Sequence, residues 1–215
     1  MTALSESGAS VVDVVSRIER IRNAALKCFA KEGTSSTSLR TVAAAAGVSI
    51  GLVQHHFTNK AGLIKAVDDH VLSVVIGIVA PPTPEPPADS VAAIGGRVTD
   101  FVSEHPDVVD YVGRALVDGS PLGITIFDTM SAFGMARWMQ REERGELRQD
   151  VDLTWASMNG IVLALGALLL RGHIERQLPD SFTSDAQLQR WHDAVNELLR
   201  QGLFRQPGKD VDPRA

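Results

Sequence analysis

Apolar residues recur along this chain at helical spacing, and no β-type alternation of any length appears. The first stripe is Ile18, Ile21, Ala25, Cys28 and Phe29; Ser16 and Glu19 form a capping box at its start and Gly33 closes it. A short stripe through Leu39, Val42, Ala43 and Ala46 starts at Thr37 or Ser38 and stops at Gly47. Ser49 caps a third segment over 50–56, and Asn59 caps a fourth, long one with Leu63, Ile64, Val67, Val71, Leu72, Val75 and Ile76 on its apolar side. Further helices are expected at about 90–104, 107–117, 125–143, 153–177 and 183–203, the last opened by Ser184 with Gln187 as a second capping box.

The pattern predicts an all-α chain of about nine helices, a three-helix head followed by a larger helical body. Five prolines between Ala80 and Ala88 remove amide donors and forbid a helix there, so they mark the clearest boundary. The expected organisation is a flexible arm (1–14), a head (15–60), a connecting helix (61–79), a proline-rich linker (80–89), a body (90–204) and a flexible tail (205–215). The most apolar run, beginning at Leu153, is wholly apolar only from Gly160 to Leu170, short of the ~20 residues a membrane span needs, and is read as a buried helix.

Charge changes the picture once it is divided. The net charge is −5, but residues 1–60 carry seven Lys and Arg against four acids, a net of +3, and the rest carries 14 against 22, a net of −8. A basic head on an acidic body suits a molecule of which one end meets phosphates. Cys28, the single cysteine, excludes an intramolecular disulfide and suits a reducing cytoplasm; the polar first ten residues, without a basic start, carry no secretory signal.

The stretch from Ser38 to Leu63 has the layout of a helix-turn-helix, whose second helix enters the major groove of DNA. Ala43, Ala46 and Gly47 allow close approach at the turn, and Val48, Val53 and Phe57 plug the motif onto the neighbouring helices. Ser49, Ile50, Gly51, Leu52 and His55 fall on the early, groove-facing part of the third helix. His56 and Lys60 stand where a phosphate would pass, at the positive end of the fourth helix, and Arg40 is a further candidate for phosphate or a groove edge. His55 and His56 are adjacent on a helix and so diverge, which argues against a metal site; none is expected, and no cofactor.

These residues resemble the TetR (tetracycline-repressor) family of bacterial regulators. The resemblance is carried by Ala24-Ala25-Leu26, Phe29 and Gly33, by Ser38-Leu39-Arg40-Thr41-Val42-Ala43 and Ala46-Gly47-Val48-Ser49, and by His56-Phe57-Thr58-Asn59-Lys60 with Leu63. It covers about residues 17–67. It implies a homodimer, an all-helical ligand-binding body and repression relieved by a small molecule. Gln54 stands where the family commonly has Tyr before the histidine pair, so base reading is expected to lean on Ser49, Gln54, His55 and a thymine-methyl contact from Ile50, with DNA shape contributing.

In the body, Trp155, Met158, Val162, Leu165 and Leu169 on one helix and Trp191, Val195, Leu198 and Leu199 on the last are expected to form a four-helix dimer seam. Two recognition helices are also what reading a near-palindrome in double-stranded DNA requires. Phe101, His105, Tyr111, Arg114, Phe127, Met130, Phe133, Trp138 and Asn159 combine large apolar groups with scattered polar ones, the make-up of a small-molecule pocket. The expected function is a ligand-responsive repressor leaving a palindromic operator, with an activator or a regulator controlled by a protein partner as the alternative. No nucleophile elbow, phosphate loop or paired carboxylates at useful spacing point to an enzyme.

Overall fold

The computed structural model describes residues 6–82, 84 and 89–205, with the backbone alone over 6–14. Among these residues are ten α-helices and no strand longer than the isolated bridge between Leu147 and Phe204. The helices are α1 (Glu6–Glu32), α2 (Leu39–Ala46), α3 (Ile50–Phe57), α4 (Lys60–Val79), α5 (Ser90–Glu104), α6 (Pro106–Val117), α7 (Pro121–Glu143), α8 (Leu153–Leu169), α9 (Arg171–Ile174) and α10 (Asp185–Leu203). None of them is long and apolar enough to cross a membrane. One core joins Ile21, Ala25 and Phe29 of α1, Val42 of α2, Val53 of α3 and Leu63, Val67 and Val71 of α4 to Val108, Val112 and Ala115 of α6 and Ile126 of α7. Smaller clusters form around Phe182, Leu188 and Val102, and around Trp138, Leu147 and Ala156.

Four expectations need correction. α1 reaches back to Glu6, ten residues before Ser16, so much of the expected arm is helix; Ser16 lies inside it, and nothing between Ala9 and Ser16 is a helix breaker. The remainder of the arm (1–5), half of the proline-rich linker (83 and 85–88) and the tail from 206 lie outside the described residues. α7 starts at Pro121, because the Ser120 hydroxyl accepts the Gly123 amide (3.2 Å) and proline suits the first helical position. The helix expected over 153–177 ends at Leu169 and resumes in α9 and a 3₁₀ turn (Glu175–Gln177) bent by 66°, which raises the helix count to ten. Ser184 does stand at the N-cap of α10, but its hydroxyl finds no partner, and Gln187 accepts from Arg190 (3.3 Å) instead of reaching back.

Candidate nucleic-acid interface and body cavity

Local rules build the head. The Ser38 hydroxyl accepts the Thr41 amide (3.1 Å) and the Ser49 hydroxyl accepts the Leu52 amide (3.2 Å), so each short helix is closed at its N-terminus by its own side chain. Between them Gly47 sits at φ 65°, ψ 38°, where its amide and that of Val48 close on Ala44 and Ala43 carbonyls. A Cβ on Gly47 would touch nothing, so glycine is needed there for the left-handed backbone and not for space. At Gly62 the reason is reversed: a Cβ would lie 2.2 Å from the Phe57 carbonyl oxygen, so only glycine lets α4 start so close to the end of α3.

The junction of α3 and α4 holds a feature the sequence reading missed. Thr58 has φ 63° and ψ −57°, and the Asn59 amide donates to the Phe57 carbonyl (2.6 Å). That is the strained form of the γ-turn, which a threonine adopts only when its surroundings enforce it. Here Phe57 is buried on one side and the Asn59 side chain caps Gly62 (2.9 Å) on the other. Thr37 was also missed: it is buried, and its hydroxyl donates to the Gly33 carbonyl (2.9 Å), fixing the loop before α2.

Val53 and Phe57 face inward from α3, and that phase turns Ser49, Ile50, Gly51, Gln54 and His55 to the outside, with Arg40 exposed on α2. Ile50 is 41% exposed, unusual for an isoleucine. Ser49 spends its acceptor on the cap, which leaves its O–H for a base or phosphate. His56 and Lys60 are half-buried; His56 packs edge-on between His55 (5.1 Å) and Phe57 (6.5 Å), while the Lys60 ammonium donates to the Ser35 carbonyl (3.0 Å). No group of His, Cys, Asp and Glu able to hold a metal occurs among the described residues.

Most of the expected pocket residues do not line one space. Tyr111 and Arg114 lie on α6 against the head: the Tyr111 hydroxyl donates to Asp68 of α4 (2.8 Å), and Arg114 donates to the Ala30 and Lys31 carbonyls (3.2 Å each) at the end of α1. Burial raises the Asp68 carboxyl above its ordinary value, against the opposing hydrogen bond from Tyr111; burial and then Asp68 raise the Tyr111 phenol. His105 is exposed at the start of α6 with its ring against Phe101 (6.0 Å), and Asn159 faces outward from α8. Phe127 and Phe133 are half-buried on α7 outside the cavity walls, Phe133 about 100° around the helix from the wall residue Gly134.

A cavity of about 190 Å³ does open between α4, α5, α7, α8 and α10. Its walls include Val79, Val91, Ile94, Val98, Met130, Trp138, Ile161, Ala164, Leu165, Trp191, Val195 and Leu199, with Arg137, Arg141, Ser157, His192 and Asn196 as the polar groups. A neighbouring void of about 80 Å³ shares Met130 and Leu165 and is bounded by Phe101. Of the expected set, only Phe101, Met130 and Trp138 line either space. The polar wall residues could have been suspected from Ser157 interrupting an apolar run and from His192 and Asn196 flanking Val195 on one helix face. Leu165, Val195 and Leu199, expected at a dimer seam, face this cavity, and Trp191 also packs on Phe182 (5.6 Å). Trp155, Val162, Leu169 and Leu198 stay 43–61% exposed on α8 and α10, with Met158 half-buried among them.

Residues 21–67 match the family described as "Bacterial regulatory proteins, tetR family". Over 52 residues, 24% of each chain, the sequence is 54% identical to the HTH-type transcriptional regulatory protein RaaS of Mycobacterium tuberculosis. Over 103 residues, 48% of each chain, it is 37% identical to the HTH-type transcriptional repressor Rv3405c of the same organism. The matched stretches therefore span about a quarter to a half of the length of these curated relatives. The fold extends further: SmeT, the repressor of the Stenotrophomonas maltophilia multidrug efflux pump SmeDEF, superposes with a TM-score of 0.67 at 20% identity, over 92% of this chain and 97% of its own. The proteins this chain is similar to are transcriptional regulators and not enzymes.

Proposed function

We propose, from the match of residues 21–67 to the tetR family of bacterial regulatory proteins, that the chain is a dimeric transcriptional repressor that leaves a palindromic operator when a small apolar molecule fills the body cavity. The observation that carries this reading is the path of α4. Its first residue, Lys60, belongs to the head, and its last, Val79, is part of the cavity wall. Twenty helical residues span about 30 Å, so one rigid element touches both sites. A ligand that displaces Val79 tilts α4 and shifts the spacing of the two heads in the dimer. A coupling of about 1–3 kcal/mol would change operator affinity about 5–150-fold.

Trp155, Val162, Leu169 and Leu198 supply the exposed apolar face for the second copy, since isolated apolar groups are common on surfaces but a row on two adjacent helices is not. The deciding experiment is fluorescence anisotropy with duplexes taken from upstream of the protein's own gene and its neighbours. Tight binding to a palindromic segment, weakened by a cavity ligand, is the expected result. Equal affinity for all duplexes at moderate salt would overturn the reading.

A further inference from the structure

The body cavity is unusually positive for an apolar space. Two arginines are on its walls, and no Asp or Glu is. Arg141 is better supplied: it is buried, donates to the Ser90 hydroxyl from Nε (3.3 Å) and Nη2 (2.9 Å), lies over the Trp138 ring (4.6 Å) and has Glu146 as an acidic neighbour, partly offset by Arg144. Arg137 has no acidic neighbour among the described residues. Its Nη2 donates to the Val79 and Pro81 carbonyls, the second at 3.2 Å, and the described charges that act on it, Arg97 and Arg141, are both positive. Arg97, behind it, donates Nη1 to the Pro81 and Pro82 carbonyls (3.3 and 3.4 Å), while its Nε and Nη2 are buried without a partner. On the facing helix the Ser157 hydroxyl is buried and also unpartnered, directed at Gly134, one turn before Arg137.

Arg97 and Arg137 are half-buried, and among the described residues neither has an acidic partner, although cations drawn out of water are ordinarily paired. Burial first, then Arg97 and Arg141, lower the Arg137 guanidinium below its ordinary value, with no acid among the described residues to offset them. The missing partner must be small, because a cavity of about 150 Å³ is filled by benzene and this one is about 190 Å³. We infer that the cavity takes a small apolar monocarboxylate, a single ring or short chain whose acid group is gripped by Arg137 while its hydrocarbon lies among Val98, Ile161, Leu165 and Leu199. This rests on the reading of the cavity as the effector site. A carboxylate accepts two parallel hydrogen bonds from a guanidinium more strongly than neutral carbonyls do. It therefore draws Arg137 from the Val79 and Pro81 carbonyls, and the same event that seats the ligand unfastens the end of α4.

The test is isothermal titration of the full chain with three molecules of one shape: phenylpropionate, phenylpropanol and phenylpropylamine. The acid is expected to bind about ten-fold more tightly than the alcohol, and the amine more weakly than either. In Arg137→Gln the acid falls to the affinity of the alcohol, whose own binding changes less than about two-fold. Equal binding of acid and alcohol to the wild-type chain, or a preference for the amine, overturns the anion proposal and leaves the effector site standing. Binding of none of the three overturns both. The wild-type comparison decides the matter whether or not the variant folds.

Discussion

Gln54 stands on the exposed side of α3 and makes no side-chain hydrogen bond to the described residues, so its amide is free to meet a base edge. Gln54→Ala should change preference at particular operator positions, by about 1–3 kcal/mol at a contacted base, in a competition assay against singly substituted duplexes. Lys60 is already held by the Ser35 carbonyl. Lys60→Ala should weaken binding to every duplex alike and lower the slope of log affinity against log salt by about one; a loss of thermal stability with an unchanged slope would make it a purely structural tie. Asp68 gives a pH prediction. Its folded carboxyl is raised above 3.8, so its stabilising contribution is complete below the unfolded value and lost as pH climbs through the folded one. Asp68→Asn keeps an acceptor for Tyr111, and urea titrations from about pH 4 to 7 should show the variant gaining on wild type as pH rises. The caps of α2, α3 and α4 were legible in the sequence because Ser38, Ser49 and Asn59 precede apolar stripes and bond within three residues. The strained turn at Thr58 was not, because it is imposed by packing on both sides.

Among elements, α6 shows what pattern reading cannot supply. Tyr111 and Arg114 look alike on a helical wheel whether they face a ligand or another helix, and their partners lie 43 and more than 80 residues away. They fasten α6 to α4 and α1, closing the carbonyl end of α1 with a cation, as the helix dipole favours. Arg114→Ala should cost about 1–3 kcal/mol in urea unfolding, because it strips two charge-assisted hydrogen bonds from that end. Helix existence and order were readable throughout from apolar spacing. The break at Leu170 was not, since 153–177 keeps helical composition across the bend.

For the molecule as a whole, the exposed apolar row on α8 and α10 predicts self-association. The double change Val162→Glu and Leu198→Glu sets charges into that face and should halve the mass seen by light scattering, while leaving the helical circular dichroism intact. The sequence led to a division at the prolines, but packing does not respect it: the core that begins at Ile21 continues without interruption to Ile126 of α7. Melting should therefore register in a calorimeter as a single endotherm shared by both ends of the chain. A fragment severed at the prolines would bare Val71 and Val75 and lose the α6 wall, so it should precipitate or stay molten instead of serving as a miniature binder.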